Sequence, residues 1–361
     1  MNTEFITAID ELEHERGIPK EVLFSAIESA LVSAYKKNYG TAENVRVNID
    51  RETGDIDVFM RRDVVEEVFD PFIEVSVEDA KEIDPEYEIG DVLEYQVTPQ
   101  DFGRIAAQTA KQVVVQKIRE AERGMVFDTY VERQGELTTG VIQRVSNETV
   151  FVNLGRTEGI LPPNEQVRGE RYEVNRRMKF YIMDVRRNPK GPQVFLSRSH
   201  PGLVKRLFEL EVPEIQDGIV VIKNVAREAG SRTKMAVWSD DEQIDPVGSC
   251  VGPRGLRVQA VCDELFGEKI DIISWSEFPE ELIEAALSPA KVEHVFLSEN
   301  PDEKAATVVV PDYQLSLAIG KEGQNVRLAA KLTGWKIDIK SHTQYYPGEA
   351  GYVDDPYGDE Q

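Results

Sequence analysis

The chain has 361 residues, of which 41% are hydrophobic and 30% charged, and it carries a formal net charge of −24. This composition is typical of a soluble globular protein, and at about 100–200 residues per domain the length allows two to four domains. No run approaches the roughly 18 consecutive apolar residues of a transmembrane helix, and the N-terminus lacks the basic region of an export signal. Only two cysteines occur, which excludes a disulfide-stapled domain and points to a reducing compartment.

The negative charge is unevenly distributed along the chain. Taken whole, it argues against a nucleic-acid partner. Residues 1–134 carry 15 basic and 30 acidic side chains, whereas residues 135–200 carry 11 basic and 7 acidic ones. Residues 201–275 and 276–345 each have a net charge of −4, and residues 346–361 carry five acids and no base. This asymmetry indicates separate partners for separate regions, although the acids of the first segment could equally be a solvated surface.

The first 134 residues have the pattern of a small α+β unit that ends in a long helix. Apolar periodicity and turn residues predict helices over 3–16 and 19–37 and strands over 44–49, 55–60 and 92–97. Residues 104–133 contain no helix breaker except Gly124. At 1.5 Å per residue they predict a helix of about 45 Å, which would separate two compact regions.

The middle of the chain is rich in short β-type runs. Strands are predicted over residues 138–145, 149–154, 159–161, 179–187 and 193–197. Five short strands within some 65 residues indicate a small closed barrel of the OB type.

The last two segments repeat one another. Residues 203–274 and 279–340 share the predicted order helix, strand, strand, helix, helix, strand, with a Gly-x-x-Gly loop between the second and third helices. Self-similarity at roughly 70 residues indicates a duplicated module. The tail from Pro347 is rich in Gly, Pro and Asp and is predicted to be disordered.

The two loops are Gly252-Pro253-Arg254-Gly255 and Gly320-Lys321-Glu322-Gly323. One such loop means little, but two copies between amphipathic helices are specific for KH domains, which clamp about four nucleotides of single-stranded RNA or DNA. Glycine has no Cβ to hold a nucleic-acid backbone away, and the helix N-terminus after the loop favours an anion. Arg254 and Lys321 add a cation. A tight turn without a ligand is the alternative.

The motifs also carry a family resemblance. Residues 318–329 and 332–339 resemble the second KH signature of the bacterial NusA family of transcription factors. Residues 198–203 with 209–215 resemble that family's junction between an S1 barrel and its first KH domain, and residues 225–237 resemble the hairpin of that KH domain. The resemblance covers essentially residues 1–345.

The resemblance implies a multi-domain α+β protein. The expected domains are an N-terminal RNA polymerase-binding domain with a long connecting helix (1–134), an S1 barrel of the OB type (135–200), two bacterial, type II KH domains (201–275 and 276–345) and an acidic disordered tail (346–361). Some family members add acidic repeats after the second KH domain. Only a short acidic tail follows it here, so functions that need those repeats are not expected.

The resemblance further implies a transcription factor without enzymatic activity or a cofactor. It would dock on RNA polymerase near the RNA exit channel, bind nascent single-stranded RNA through S1–KH–KH, and modulate pausing, intrinsic termination and antitermination. Other Nus-type factors are further expected partners. A cytoplasmic monomer that binds no membrane is expected.

The candidate RNA-binding residues lie in the loops, in the helices that follow them and on the barrel. They are Gly252, Pro253, Arg254, Gly255, Arg257, Gly320, Lys321, Gly323, Gln324, Asn325, Arg327, Phe151, Arg186, Arg187 and Lys190. Phe151 could instead belong to the core, and the barrel's basic residues could be a solvated face. Glu322 places an acid beside Lys321, so the second loop relies either on backbone donors with Glu322 in solvent or on its groove and strand.

Other chemistry has little support in the sequence. The cysteines and histidines lack metal-ligand spacing, and no phosphate-binding loop of an NTPase occurs. Trp238, Trp275 and Trp335 lie near predicted strand ends and are expected in the core. Two alternatives remain: a phosphorolytic ribonuclease of the polynucleotide phosphorylase type, for which residues 1–134 are too short, and a ribosome-associated RNA-binding protein.

Overall fold

The computed structural model describes residues 2–39, 44–99, 102–189, 191–300 and 303–347. The candidate Lys190 and the predicted disordered tail beyond Pro347 lie outside these residues. The chain divides into two compact units, Met1–Val126 and Phe127–Gln361, and each is described by itself.

The first unit is an α+β domain. Its elements are α1 (Asn2–Arg16), α2 (Lys20–Tyr39), β1 (Val45–Ile49), β2 (Ile56–Val65), β3 (Glu74–Ser76), α3 (Val77–Ile83), β4 (Val92–Gln96) and most of α4 (Phe102–Glu132). The strands form one sheet in which β2 pairs with β1, β3 and β4. Leu23, Phe24, Ile27 and Leu31 of α2 are buried in its core. The 31 residues of α4 confirm the predicted long helix.

The sequence patterns missed β3 and α3. Both are short, and seven helical residues give too few turns for a clear apolar stripe. The sequence did contain a helix-start signal, the capping residue Ser76. In the structure its hydroxyl accepts a hydrogen bond from the Asp79 N–H at 3.1 Å and so caps the N-terminus of α3.

The second unit begins with the predicted barrel. Strands β5 (Leu137–Ser146), β6 (Thr149–Asn153), β7 (Glu158–Leu161), β8 (Arg177–Arg186) and β9 (Gln193–Ser197) close in the order β5-β6-β7-β9-β8. Alternate side chains fill its interior, and Val152, Phe180 and Leu196 are fully buried. A Cβ on Gly140 would lie 2.3 Å from Val152 Cγ1, so this position requires glycine.

Two modules of one topology follow the barrel. The first comprises α5 (Pro201–Glu211), α6 (Pro213–Gln216), β10 (Val220–Glu228), β11 (Arg232–Ser239), α7 (Pro246–Val251), α8 (Leu256–Glu264) and β12 (Lys269–Ser274). The second comprises α9 (Pro279–Ala286), β13 (His294–Leu297), β14 (Ala305–Val310), α10 (Leu315–Ile319), α11 (Gln324–Thr333), β15 (Lys336–Ser341) and α12 (His342–Tyr345). In each sheet the central strand pairs antiparallel with the first and parallel with the third, which is the expected type II KH arrangement.

Two buried arginines, each paired with a carboxylate of its own module, also bond across the junction between the barrel and the first KH module. The Arg198 side chain is completely buried after β9, and its Nη2 lies 2.6 Å from Glu170 Oε1. The same guanidinium donates to Glu264 of α8, at 3.2 Å. Arg227 of β10 pairs with the equally buried Glu268 and donates to the backbone carbonyls of Arg198 and His200. These contacts fix the barrel against the first KH module, since buried guanidinium groups with several acceptors hold one geometry.

Candidate RNA-binding surface

Each Gly-x-x-Gly loop is a single 3-10 turn between two short helices. Gly252 has φ 73° and ψ 174°, and Gly320 has φ 76° and ψ 171°. This region of backbone space is essentially restricted to glycine. A Cβ on Gly320 would also lie 2.7 Å from the Asn325 backbone nitrogen. The first glycine of each loop is therefore required by the turn itself.

The variable residues of both loops face solvent. Pro253, Arg254, Lys321 and Glu322 are all exposed. Arg254 and Glu322 have left-handed backbones, with φ 55° and 53°. Glu322 is exposed, which agrees with the alternative in which its carboxylate points to solvent. The loops thus present two cations and two open turns of main chain.

Two predicted RNA-binding residues support the loops from beneath. Arg257 and Asn325 occupy equivalent positions, five residues after the first glycine of each loop. The Arg257 Nη1 donates to the Ser249 carbonyl at 2.6 Å and to the Glu214 carboxylate at 2.8 Å. The Asn325 Nδ2 donates to the Ala318 carbonyl at 3.1 Å, and Asn325 is only 5% exposed. Both side chains satisfy carbonyls at the end of the preceding helix, so they position the loop.

Two further predicted residues connect the KH modules. The Gln324 Nε2 donates to Glu228 at 2.8 Å and to the Ser231 hydroxyl at 2.7 Å. The Arg327 Nε donates to Glu228 at 2.6 Å, and its Nη1 donates to the Glu322 carbonyl at 3.0 Å. The hydrogen bond from Arg327 lowers the pKa of Glu228, which therefore stays ionised. Glu228 thus ties the second loop to the β10–β11 hairpin, a role that sequence reasoning missed because no motif marks the pair.

Phe151 lies on the outer face of the barrel. Its neighbours Val150 and Val152 point into the interior, so the alternative that Phe151 belongs to the core is wrong. The ring is half-buried, and the guanidinium carbon of Arg144 lies 3.5 Å from its centroid. Arg144 is in turn paired with Glu158 at 3.0 Å. One face of the ring is therefore already covered by a cation.

The two candidate arginines of the barrel, Arg186 and Arg187, each have an acidic neighbour. Arg186 is exposed, lies over the Phe195 ring and pairs with Asp184 at 2.7 Å. Arg187 is exposed, lies over the Phe127 ring and is 3.8 Å from Asp128. These partners weaken the positive field of the barrel, so both the RNA-binding and the solvated-face interpretations of its arginines stay open.

Neither a metal site nor a membrane-spanning helix occurs among the described residues. No cluster of three or more His, Cys, Asp or Glu side chains there has the arrangement of a metal site. Over the same ranges, α4 and the other helices lack the combination of length and apolar character that crossing a bilayer requires.

This architecture matches that of known protein families. Three family descriptions match the chain: NusA N-terminal domain (residues 4–124), NusA-like first KH domain (198–275) and NusA-like second KH domain (279–346). The transcription termination/antitermination protein NusA of Bacillus subtilis is 57% identical over 361 residues, which cover 99% of this chain and 97% of that protein.

Two further relatives carry the same name. The protein of Halalkalibacterium halodurans is 57% identical and matches 98% of this chain and 92% of its own length. That of Thermus thermophilus is 44% identical and matches 94% of this chain and 90% of its own length. With identity this high over nearly the whole of each protein, the chain belongs to the NusA family.

Proposed function

We propose that this chain is a non-enzymatic, RNA-binding transcription factor that acts in pausing, intrinsic termination and antitermination. Its N-terminal domain, residues 1–134, docks on RNA polymerase near the RNA exit channel. The S1 barrel (135–200) and the two KH domains (201–275 and 276–345) bind the emerging single-stranded RNA. The protein works as a cytoplasmic monomer, and other Nus-type factors are further partners.

The observation that carries this proposal is the pair of open Gly-x-x-Gly turns in modules of KH topology. Gly252, Gly255, Gly320 and Gly323 keep each turn free of side-chain bulk, and Arg254 and Lys321 supply cations for the backbone phosphates. Each module alone makes few contacts. Joining them on one chain raises the effective concentration for the next contact along the same RNA, so several weak sites give useful affinity.

A promoter-driven transcription assay with a known pause and a known terminator tests the proposal. Adding the protein is expected to change the pause lifetime and the terminated fraction. Transcription that stays the same with the protein at saturation would refute it. Phosphate-dependent shortening of labelled RNA would favour the ribonuclease alternative. Sedimentation with ribosomes, and not with polymerase, would favour the translation alternative.

Replacing Pro253 and Arg254 by aspartate is expected to weaken RNA binding by about tenfold at low salt, because two carboxylates would then face the phosphate. The fold should survive, since both side chains are exposed and aspartate tolerates the left-handed backbone of residue 254. Fluorescence anisotropy with an unstructured RNA measures the loss.

The matched control for this experiment is Arg254→Asn, which removes the cation but keeps a residue suited to the left-handed conformation. Its affinity for RNA should lie between that of the wild type and that of the double aspartate variant. If the double variant binds RNA as tightly as the wild type does, the first loop is not part of the RNA-binding surface.

A further inference from the structure

The loop between β2 and β3, residues 66–73, presents the two most exposed large apolar side chains of the described residues. Phe69 is 85% exposed and Phe72 is 68% exposed. The three tryptophans, which were expected in the core, are by contrast partly buried, and Trp275 and Trp335 pack against the core around α9 and α11. A single exposed apolar residue needs no explanation, but two rings three positions apart in one loop indicate an interaction site.

Hydrogen bonds within the loop hold its backbone in one conformation. The Glu74 carboxylate accepts from the backbone N–H groups of Phe69 at 2.6 Å and of Asp70 at 3.0 Å. The Asp70 carboxylate accepts from the Phe72 N–H at 2.9 Å, and the Asp70 carbonyl accepts from the Glu74 N–H at 2.9 Å. Pro71 restricts the backbone between the two rings. The rings are therefore presented by a preorganised loop, which lowers the entropic cost of binding.

The loop is also fixed to the sheet. Val64 of β2 and Val75 of β3, on either side of the loop, are buried together in a small core. The Asn44 side-chain amide donates to the Phe72 carbonyl at 3.3 Å. All of these contacts are made by the backbone or by residues outside the two rings. Removing the rings should therefore leave the loop and the domain folded.

The surroundings of the loop in the chain are strongly acidic. Residues 66–91 contain eleven Asp and Glu residues and one base, Lys81. Glu66 and Glu67 are exposed at the start of the loop, and neither forms an ion pair within the parts of the chain that the structure describes. The two rings thus lie in the most acidic part of the N-terminal domain, beside carboxylates that are free to meet a partner's cations.

The combination of rings and carboxylates selects the kind of partner. RNA and a second copy of this chain, whose net charge is −24, are both repelled by the negative field of this region. Protein interfaces typically have buried aromatic residues at their centre and charged residues at their rim. An apolar pocket with lysine and arginine around it complements both features of the loop.

We propose that the 66–73 loop anchors this protein to RNA polymerase: Phe69 and Phe72 insert into an apolar pocket of the polymerase whose rim carries lysine or arginine side chains. The inference rests on the proposed function and names the part of the N-terminal domain that makes the contact. The rings supply most of the affinity of this contact, and the carboxylates speed the encounter and set its orientation.

The first test compares the full-length protein with Phe69→Ser/Phe72→Ser in binding to purified core RNA polymerase, followed by biolayer interferometry. Affinity should fall about thirtyfold, because two anchoring rings are lost. The affinity for an unstructured RNA and the circular dichroism spectrum should stay those of the wild type. Phe278→Ser is the matched control: it removes a phenylalanine of the second unit that is 57% exposed, and polymerase binding should not change.

The second test addresses the charge. Glu66→Gln/Glu67→Gln should slow association with polymerase about threefold at low salt, and the difference from the wild type should vanish at high salt, where the charges are screened. Glu277→Gln/Glu280→Gln removes two exposed acids of the second unit and should leave the association rate unchanged.

The possible results separate this inference from the function on which it rests. Wild-type affinity for polymerase in the phenylalanine variant would overturn the anchor alone. An association rate that the Glu66 and Glu67 substitutions leave unchanged would overturn the basic rim of the pocket. If the phenylalanine substitutions instead weaken RNA binding or dissociate a dimer, the loop binds RNA or a second copy and the proposal is wrong. A wild-type protein that does not bind polymerase would overturn the proposed function itself.

Discussion

Deleting residues 1–125 is expected to abolish association with RNA polymerase and to leave RNA binding unchanged. The deletion removes nearly all of the first unit, Met1–Val126, which has its own core around α2. Both Gly-x-x-Gly loops and the barrel lie in the second unit and keep their supporting contacts. Co-sedimentation with core polymerase and anisotropy with RNA measure the two activities separately.

The reciprocal fragment, residues 1–134, controls for misfolding of the shortened protein. It should retain polymerase binding and lose affinity for RNA, since it carries 30 acidic and 15 basic side chains and neither loop. Full polymerase binding by the shortened protein would place the docking surface in the second unit.

Arg198→Met should lower the free energy of unfolding of the second unit by about 3–5 kcal/mol, the usual cost of breaking a buried ion pair from one side. The Arg198 and Glu170 side chains are 0% and 2% exposed. Arg198 Nη1 also donates to the Lys179 carbonyl, and Nη2 donates to that of Glu264, each at 2.8 Å. Methionine fills the space but leaves the Glu170 carboxylate with only the Tyr172 hydroxyl as donor, at 2.8 Å, and leaves both carbonyls without their guanidinium donor. Urea unfolding followed by circular dichroism measures the change.

Two variants make that experiment specific. Arg186→Met removes an arginine whose side chain is 65% exposed and should cost less than about 0.5 kcal/mol. Arg198→Met/Glu170→Leu removes both partners and should recover part of the loss, because an apolar pair of similar volume is often as stable as a buried ion pair. A single variant as stable as the wild type would show that the Arg198 side chain does not hold the junction together.

The repeated helix and strand patterns were enough to predict the barrel and both KH modules, because short amphipathic elements with glycine turns leave a clear periodic signal. They were not enough for β3 and α3. The motif also could not show what Asn325, Gln324 and Arg327 contact within the protein. Their place after the second loop suggested RNA contact, yet one is buried beneath the turn and two bind Glu228, which lies 96 residues before Gln324.

A linear pattern shows which residues a motif contains but not which distant groups they meet. Arg198 illustrates the same limit. The junction motif that begins at Arg198 did not show that its side chain is buried, and only the closed fold brings Glu170 and Glu264 around it.

The buried guanidinium groups of Arg198 and Arg227 have a consequence for how a transcript can be selected. They hold the barrel in one orientation on the first KH module, so the distance between any two surface positions on these modules is constant. If RNA binds both modules, as proposed, the strand must span a constant distance between its two contacts, and a surplus nucleotide would have to loop out of the path. Such a protein would discriminate among transcripts by the interval between two loosely preferred segments more than by the identity of any single base.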